Sequence, residues 1–206
     1  VEALEALNEA GRTIVRTAGP SVVFLQGAYG WRAPDGRPLR VLTGEDGRAL
    51  KGPGGGPLTT LEGDGPPFTA EFTGSGFLVS SDGLVVTNRH VALPWSTDVG
   101  ASELRDQGFE PVLRLLAYAP GITAPFEAGF VTSGRSSDLA LLSAPELAEH
   151  TAPLPLSSEP PGPGDEILVL GYPAGITALL ARSGSVFVDS LLQSRPDFWK
   201  VVEKLS

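Results

Sequence analysis

The sequence predicts a β-rich fold of short strands, all-β with some helix. Three observations carry that prediction. Glycine and proline are abundant, 26 and 19 of 206 residues, and such a chain must turn often. Between the turns recur short apolar or alternating runs, such as Ser21 to Gln26 and Leu84 to Asn88, of strand rather than helix length. Asp82-Gly83 separates two of these runs and is a strong hairpin signal, because glycine takes positive φ at no steric cost.

Taken in order, residues 1–17 read as a helix: Val1, Leu4, Leu7, Ile14 and Val15 fall near a 3.6-residue period, Gly11 weakens the middle, and Gly19-Pro20 ends it. Ser21 to Gln26 is an apolar strand with Ala28 to Trp31 as its continuation. Residues 32–67 are dense in glycine, proline and D-G turns, and read as a long hairpin loop, flexible around Gly52 to Gly56, with a short edge strand at Val41-Leu42. Phe68 to Ser80 and Leu84 to Asn88 form the next hairpin. Val91 to Leu93 makes a helical turn, and 94–108 is a polar excursion.

Strands follow at Val112 to Tyr118, Phe126 to Ser133 and Asp138 to Leu142, then a helical turn at Pro145 to His150. The proline-rich segment 151–165 reads as a linker, and Ile167 to Gly171 as a strand. Ile176 to Arg182, Val186 to Gln193 and Asp197 to Leu205 read as helices, with Pro196 near a helix start. No repeat of 20–50 residues stands out. The expected organisation is an N-terminal helix over 1–18, a β-domain over 19–150 carrying the 32–67 loop, and a third segment over 151–206.

Composition narrows the function. The chain is 41% hydrophobic and 19% charged, as a globular protein is, and its net charge of -9 with scattered basic residues argues against a nucleic-acid partner. It has no cysteine, which excludes disulfides and thiolate metal sites. His150 has no second histidine beside it, so neither a metal nor a cofactor is expected. The chain lacks methionine and starts at Val1, and is expected to be a processed piece of a longer protein.

Two residues carry chemistry. A serine-type hydrolytic site needs an imidazole to take a hydroxyl proton and a carboxylate to orient it. His90 follows a strong strand, and Asp138 opens an otherwise apolar one, 48 positions on. That placement predicts a carboxylate held close to the core. On the residues alone, Asp138 is equally a cap for the turn after Gly134 to Ser137, and a histidine after a strand is usually an ordinary surface residue. Thr87 and Asn88 are expected to fix the local turn through side-chain to backbone bonds. Arg89, Arg135 and His150 read as solvated, and Phe198, Trp199 and Val202 as packing residues.

The motifs Gly74-Ser75-Gly76-Phe77, Asp82-Gly83 and Thr87-Asn88-Arg89-His90-Val91 together resemble the segment around the catalytic histidine of HtrA (DegP)-type trypsin-like serine proteases. Asp138-Leu139-Ala140-Leu141-Leu142 is similar to the segment bearing their catalytic aspartate. Gly164 to Ile167 and Gly171 to Gly175 resemble their strand leading into a second barrel. Gly19 to Val23 is similar to their junction of helix and first strand. The resemblance implies a chymotrypsin-like double β-barrel, with the first barrel complete here and the second only begun. It implies peptide-bond hydrolysis of polypeptide substrates, with His90 as base and Asp138 as its orienter. An extracytoplasmic location, periplasmic or membrane-anchored, is implied as well.

One departure is large. The family's nucleophile lies in a Gly-x-Ser-Gly-Gly loop, and no such loop occurs in these residues. Ser183-Gly184-Ser185 is the nearest local candidate and lacks the glycine pair. In the triad template the Asp-to-Ser gap is about twice the His-to-Asp gap, which puts the serine beyond residue 206. The expected nucleophile is therefore downstream or on another chain, and the helical run 176–205 is an insertion before its strand. By itself the chain is expected to be inactive. A second chain completing the domain, or self-association, is expected to cover its open strand edges. The alternative is a non-catalytic module that kept the fold, lost the serine and binds proteins or peptides.

Overall fold

The computed structural model describes residues 2–98 and 100–172. In order they form α1 (Glu2–Ala18), a 3-10 turn (Gly19–Ser21), β1 (Val22–Arg32), β2 (Arg40–Val41), β3 (Thr59–Thr60), β4 (Ala70–Leu78), β5 (Leu84–Thr87), α2 (Arg89–Ala92), a 3-10 turn (Pro94–Thr97), α3 (Ala101–Asp106), β6 (Glu110–Tyr118), β7 (Phe126–Glu127), β8 (Gly129–Ser133), β9 (Ala140–Ser143) and a 3-10 turn (Pro145–Glu149). The β-rich reading and the N-terminal helix hold. No helix among the described residues is long and apolar enough to cross a membrane.

The described residues divide into two compact units, the first comprising 2–26, 73–92 and 115–172, the second 27–72, 93–98 and 100–114. In the first unit the antiparallel sheet order is β7-β6-β1-β4-β5-β9-β8. Its two outer strands, β7 and β8, are consecutive in the chain and separated by Ala128 alone. Phe126 pairs with Ala117 on one side, and Gly129 with Ser143 on the other. The Ala128 N–H donates to Leu115 O at 2.9 Å. One run of chain thus closes the sheet into a nearly complete barrel, which removes the exposed edges an open sheet presents.

Strand periodicity puts Val23 and Leu25 on one face of β1 and Phe24 on the other. Val23, Leu25, Leu78, Val85, Leu116, Leu142 and Leu147 are fully buried, each side chain contributing about 1.5–3 kcal/mol relative to exposure. Phe24 packs with Leu116, Tyr118 and Tyr172. The Asp82-Gly83 hairpin forms as expected, with Gly83 at φ 92. A Cβ on Gly83 would lie 2.5 Å from Pro145 Cα, so glycine is required there by both conformation and space.

The second unit holds its own apolar cluster. Tyr29, Trp31, Leu39 and Ala101 are buried, with Phe68, Phe72, Trp95, Leu104 and Phe109 packed around them. α3 forms inside the stretch read from sequence as a polar excursion; Ala101 and Leu104 give it an apolar side too short to show as periodicity. The segment read as one long loop is built of repeated turns. The Leu50 N–H donates to Leu42 O, Leu58 to Leu50 O and Leu42 to Leu58 O, at 2.9, 2.8 and 2.8 Å, which closes a ring of three leucines. Glycines with positive φ recur at Gly47, Gly55 and Gly63, each five residues after a ring leucine. This octad is visible in the sequence, but it is shorter than the repeats sought there.

Ile167 to Gly171 does not form the expected strand. The segment has no ladder partner among the described residues, and Ile167, Leu168 and Val169 are 72%, 48% and 84% exposed. Apolar composition favours a strand only where a neighbouring backbone supplies hydrogen bonds. The helices expected over 176–205, and Ser183-Gly184-Ser185 with them, lie outside the described residues.

Candidate active site

The pair picked from sequence comes together in the first unit. β5 ends at Thr87 and the chain turns into α2, which carries His90. Asp138 lies two residues before β9, the strand that pairs with β5 through Thr87↔Ala140 and Val86↔Leu141. Strand pairing therefore sets the two side chains opposite each other, across residues distant in sequence. The His90 imidazole Nδ1 is 2.7 Å from Asp138 Oδ2. The His90 main-chain N–H donates to Asp138 Oδ1 at 3.0 Å, so both carboxylate oxygens are engaged by one residue.

Asp138 is half exposed, not held in the core as its strand-opening position suggested: the side chains of His90 and Asp138 are 51% and 50% exposed. The reason is that β9 begins at Ala140, leaving Asp138 on the preceding loop. Its carboxyl is held below the ordinary carboxylate range, first by the His90 main-chain N–H. The His90 side-chain bond and charge and the Asn88 amide also lower it, and partial desolvation opposes them. An ionised carboxylate can only accept, so this bond is donated by an Nδ1–H of the imidazole.

The surrounding residues fix this geometry. The Thr87 hydroxyl donates to Ser75 O at 2.8 Å, so it fastens β5 to β4 rather than fixing the local turn expected of it. The Asn88 side chain also departs from the local-turn role expected of it: its amide donates to Asp138 O and to Asp138 Oδ2, each at 3.2 Å. Sequence reasoning missed this contact, whose signal is the asparagine two positions before the histidine. Arg89 reaches Gly134 O at 3.4 Å, on the loop that leads to Asp138. Ser75 also accepts from the Tyr172 N–H at 2.8 Å, tying the returning chain to β4. His150 is exposed as expected, stacked near Phe126 with ring centroids 5.2 Å apart.

A nearly closed antiparallel barrel carries a half-exposed imidazole bonded to a carboxylate. Residues 74–190 match the family of the trypsin-like peptidase domain, and the chain belongs to that family. No curated protein matches it significantly in sequence. Among solved structures it is similar to the inactive form of the Rv3671c protease of M. tuberculosis, at 26% identity and a TM-score of 0.39, covering 79% of this chain and 50% of that one. It is also similar to a serine endoprotease from Yersinia pestis, at 20% identity and a TM-score of 0.38, covering 75% and 36%. A further similarity is to the HtrA-type protease AlgW with a decapeptide, at 20% identity and a TM-score of 0.32, covering 65% and 32%. The chain thus spans half or less of the length of these structures.

Proposed function

We propose that this chain is the portion of a serine endopeptidase that carries the base and its orienting acid. The observation that carries the reading is the double engagement of Asp138 by His90, at Nδ1 and at the main-chain N–H. His90 Nε2 accepts the proton of a serine hydroxyl as that oxygen attacks the substrate carbonyl, then returns the proton to the leaving amine. Asp138 keeps the imidazole proton on Nδ1 and stabilises the imidazolium formed midway. The serine, and with it the amides that hold the oxyanion, comes from outside these 206 residues, since no Gly-x-Ser-Gly-Gly occurs within them. Substrates are polypeptides, and the chain alone is inactive.

The exposed run Ile167 to Val169 supports a neighbouring strand supplied by the rest of the domain. The missing glycine-serine loop favours, as a second reading, a module that binds peptides without cleaving them. A fluorophosphonate probe separates the two in the parent polypeptide. Labelling of one serine, lost on His90→Ala, is the expected result. Absence of labelling in a folded parent protein rules out the protease and leaves the binding module.

A further inference from the structure

Asn88 occupies the position that precedes α2, and its main-chain carbonyl accepts from the Val91 and Ala92 N–H groups, both at 3.1 Å. An asparagine there ordinarily turns its side-chain oxygen inward to accept from the second or third helical N–H. The second helical N–H here, that of His90, is instead taken by Asp138 Oδ1 at 3.0 Å. The cap comes from 50 residues away, and the Asn88 amide is released from that task. It points the other way and donates to Asp138 Oδ2 and Asp138 O. Both partners are pure acceptors, so only the amide nitrogen can face them. Asp138 is held at its carboxylate and at its main chain by one side chain.

We infer that Asn88 is a positioning residue, which pins the Asp138 carboxylate so that Oδ2 meets His90 Nδ1 and the imidazole stays in its Nδ1–H tautomer. The inference rests on the His90–Asp138 reading above. Both carboxylate and imidazole are half exposed, so packing alone does not restrain them, and free rotation of Asp138 would put the wrong oxygen, or water, against Nδ1. The His90 main-chain bond fixes Oδ1. Asn88 fixes Oδ2 and the backbone from which the carboxylate hangs, leaving a single orientation that serves the ring. A side chain that merely capped α2 would contribute to stability and leave the tautomer alone, which makes the two roles separable.

The chain contains two histidines, so long-range proton–nitrogen NMR resolves the tautomer of each directly. The expected result is a His90 ring mainly protonated at Nδ1 in the unaltered chain, with a marked loss of that form in Asn88→Ala and no change at His150. Asn88→Asp keeps the shape, and the main-chain carbonyl that caps α2, but removes the donor. It is expected to show the same loss, and it serves where the alanine variant does not fold. Asp138→Asn is the reference. Should it shift the His90 tautomer while neither Asn88 variant does, the role of Asn88 is overturned and the His90–Asp138 pair stands. Should Asp138→Asn leave His90 unchanged as well, the pair itself is overturned and the role of Asn88 with it.

Discussion

Each of the two units contains a carboxylate bonded to a titratable ring, and the two pairs have opposite characters. In the first, Asp138 meets His90 at 2.7 Å with both side chains about half exposed. In the second, Asp98 accepts from the Tyr29 hydroxyl at 3.2 Å, and Tyr29 is buried beside Trp31, Phe72 and Trp95. Burial, and then the Asp98 charge and bond, push the Tyr29 hydroxyl up to about 12, so it keeps its proton across the physiological range. An acid beside a ring does not make a reactive site. The His90 pair differs in keeping both side chains about half exposed and in fastening the acid through main-chain and amide donors. The Tyr29 pair commits the ring's single proton to Asp98.

The largest effect that would break this contrast is chemical. In the proposed parent peptidase, Asp138→Asn is expected to lower turnover by about 10⁴-fold while leaving substrate binding intact, because an amide favours the wrong imidazole tautomer. Steady-state kinetics tests it, and a loss below tenfold would reduce Asp138 to a turn cap. Asp98→Asn is expected to leave turnover unchanged in the same assay.

A second contrast concerns turns. Gly83 and Gly55 both have positive φ, 92 and 79, but a Cβ on Gly83 meets Pro145 and Ala144 while one on Gly55 has nothing within 4 Å. Gly83→Ala is therefore expected to cost about 2–4 kcal/mol and Gly55→Ala about 1 kcal/mol, the latter from backbone conformation alone. Urea unfolding of both variants measures the difference, and equal losses would mean that the hairpin relaxes away from the contact.

The acid limb sharpens the first comparison further. The folded Asp138 value lies below its unfolded one. Its stabilising contribution is therefore fully present above the unfolded value of about 3.9 and is lost as pH falls through the lower folded value. Since the His90 main-chain N–H is the leading cause, His90→Ala is expected to leave the Asp138 carboxyl still depressed, though by less. Carboxyl carbon NMR titration reads this directly, and a return to the ordinary value would assign the effect to the imidazole. An effect of the same order as that of Gly55→Ala is expected of Tyr29→Phe, about 0.5–1.5 kcal/mol for one hydrogen bond to a charged but exposed partner. Its ultraviolet titration should lack a tyrosine that ionises above the ordinary range.

The strands and the pair were legible because each is written locally. Phe77, Val79 and the Leu84–Val86 run alternate or cluster as strands do, and His90 and Asp138 stand at strand ends where few residue types do proton chemistry. The octad of Leu42, Leu50 and Leu58 is equally local, but its period is shorter than that of the common repeat folds. Ile167 to Val169 looked like a strand because apolar composition is local, whereas the partner that makes a strand is not.

The sequence by itself determined the β-rich class, the Asp82-Gly83 hairpin and which two residues, His90 and Asp138, to look for together, since backbone preference and side-chain chemistry are properties of short segments. Tertiary structure alone decided the rest. β7 and β8 close the barrel because Ala128 joins the two ends of one sheet. Asp138 caps α2 in place of Asn88 because the β5–β9 pairing carries it there. The Asn88 amide then turns toward the carboxylate because the donor it would have capped is already taken. Those outcomes depend on which distant groups compete for one hydrogen bond, and only the folded chain sets that competition.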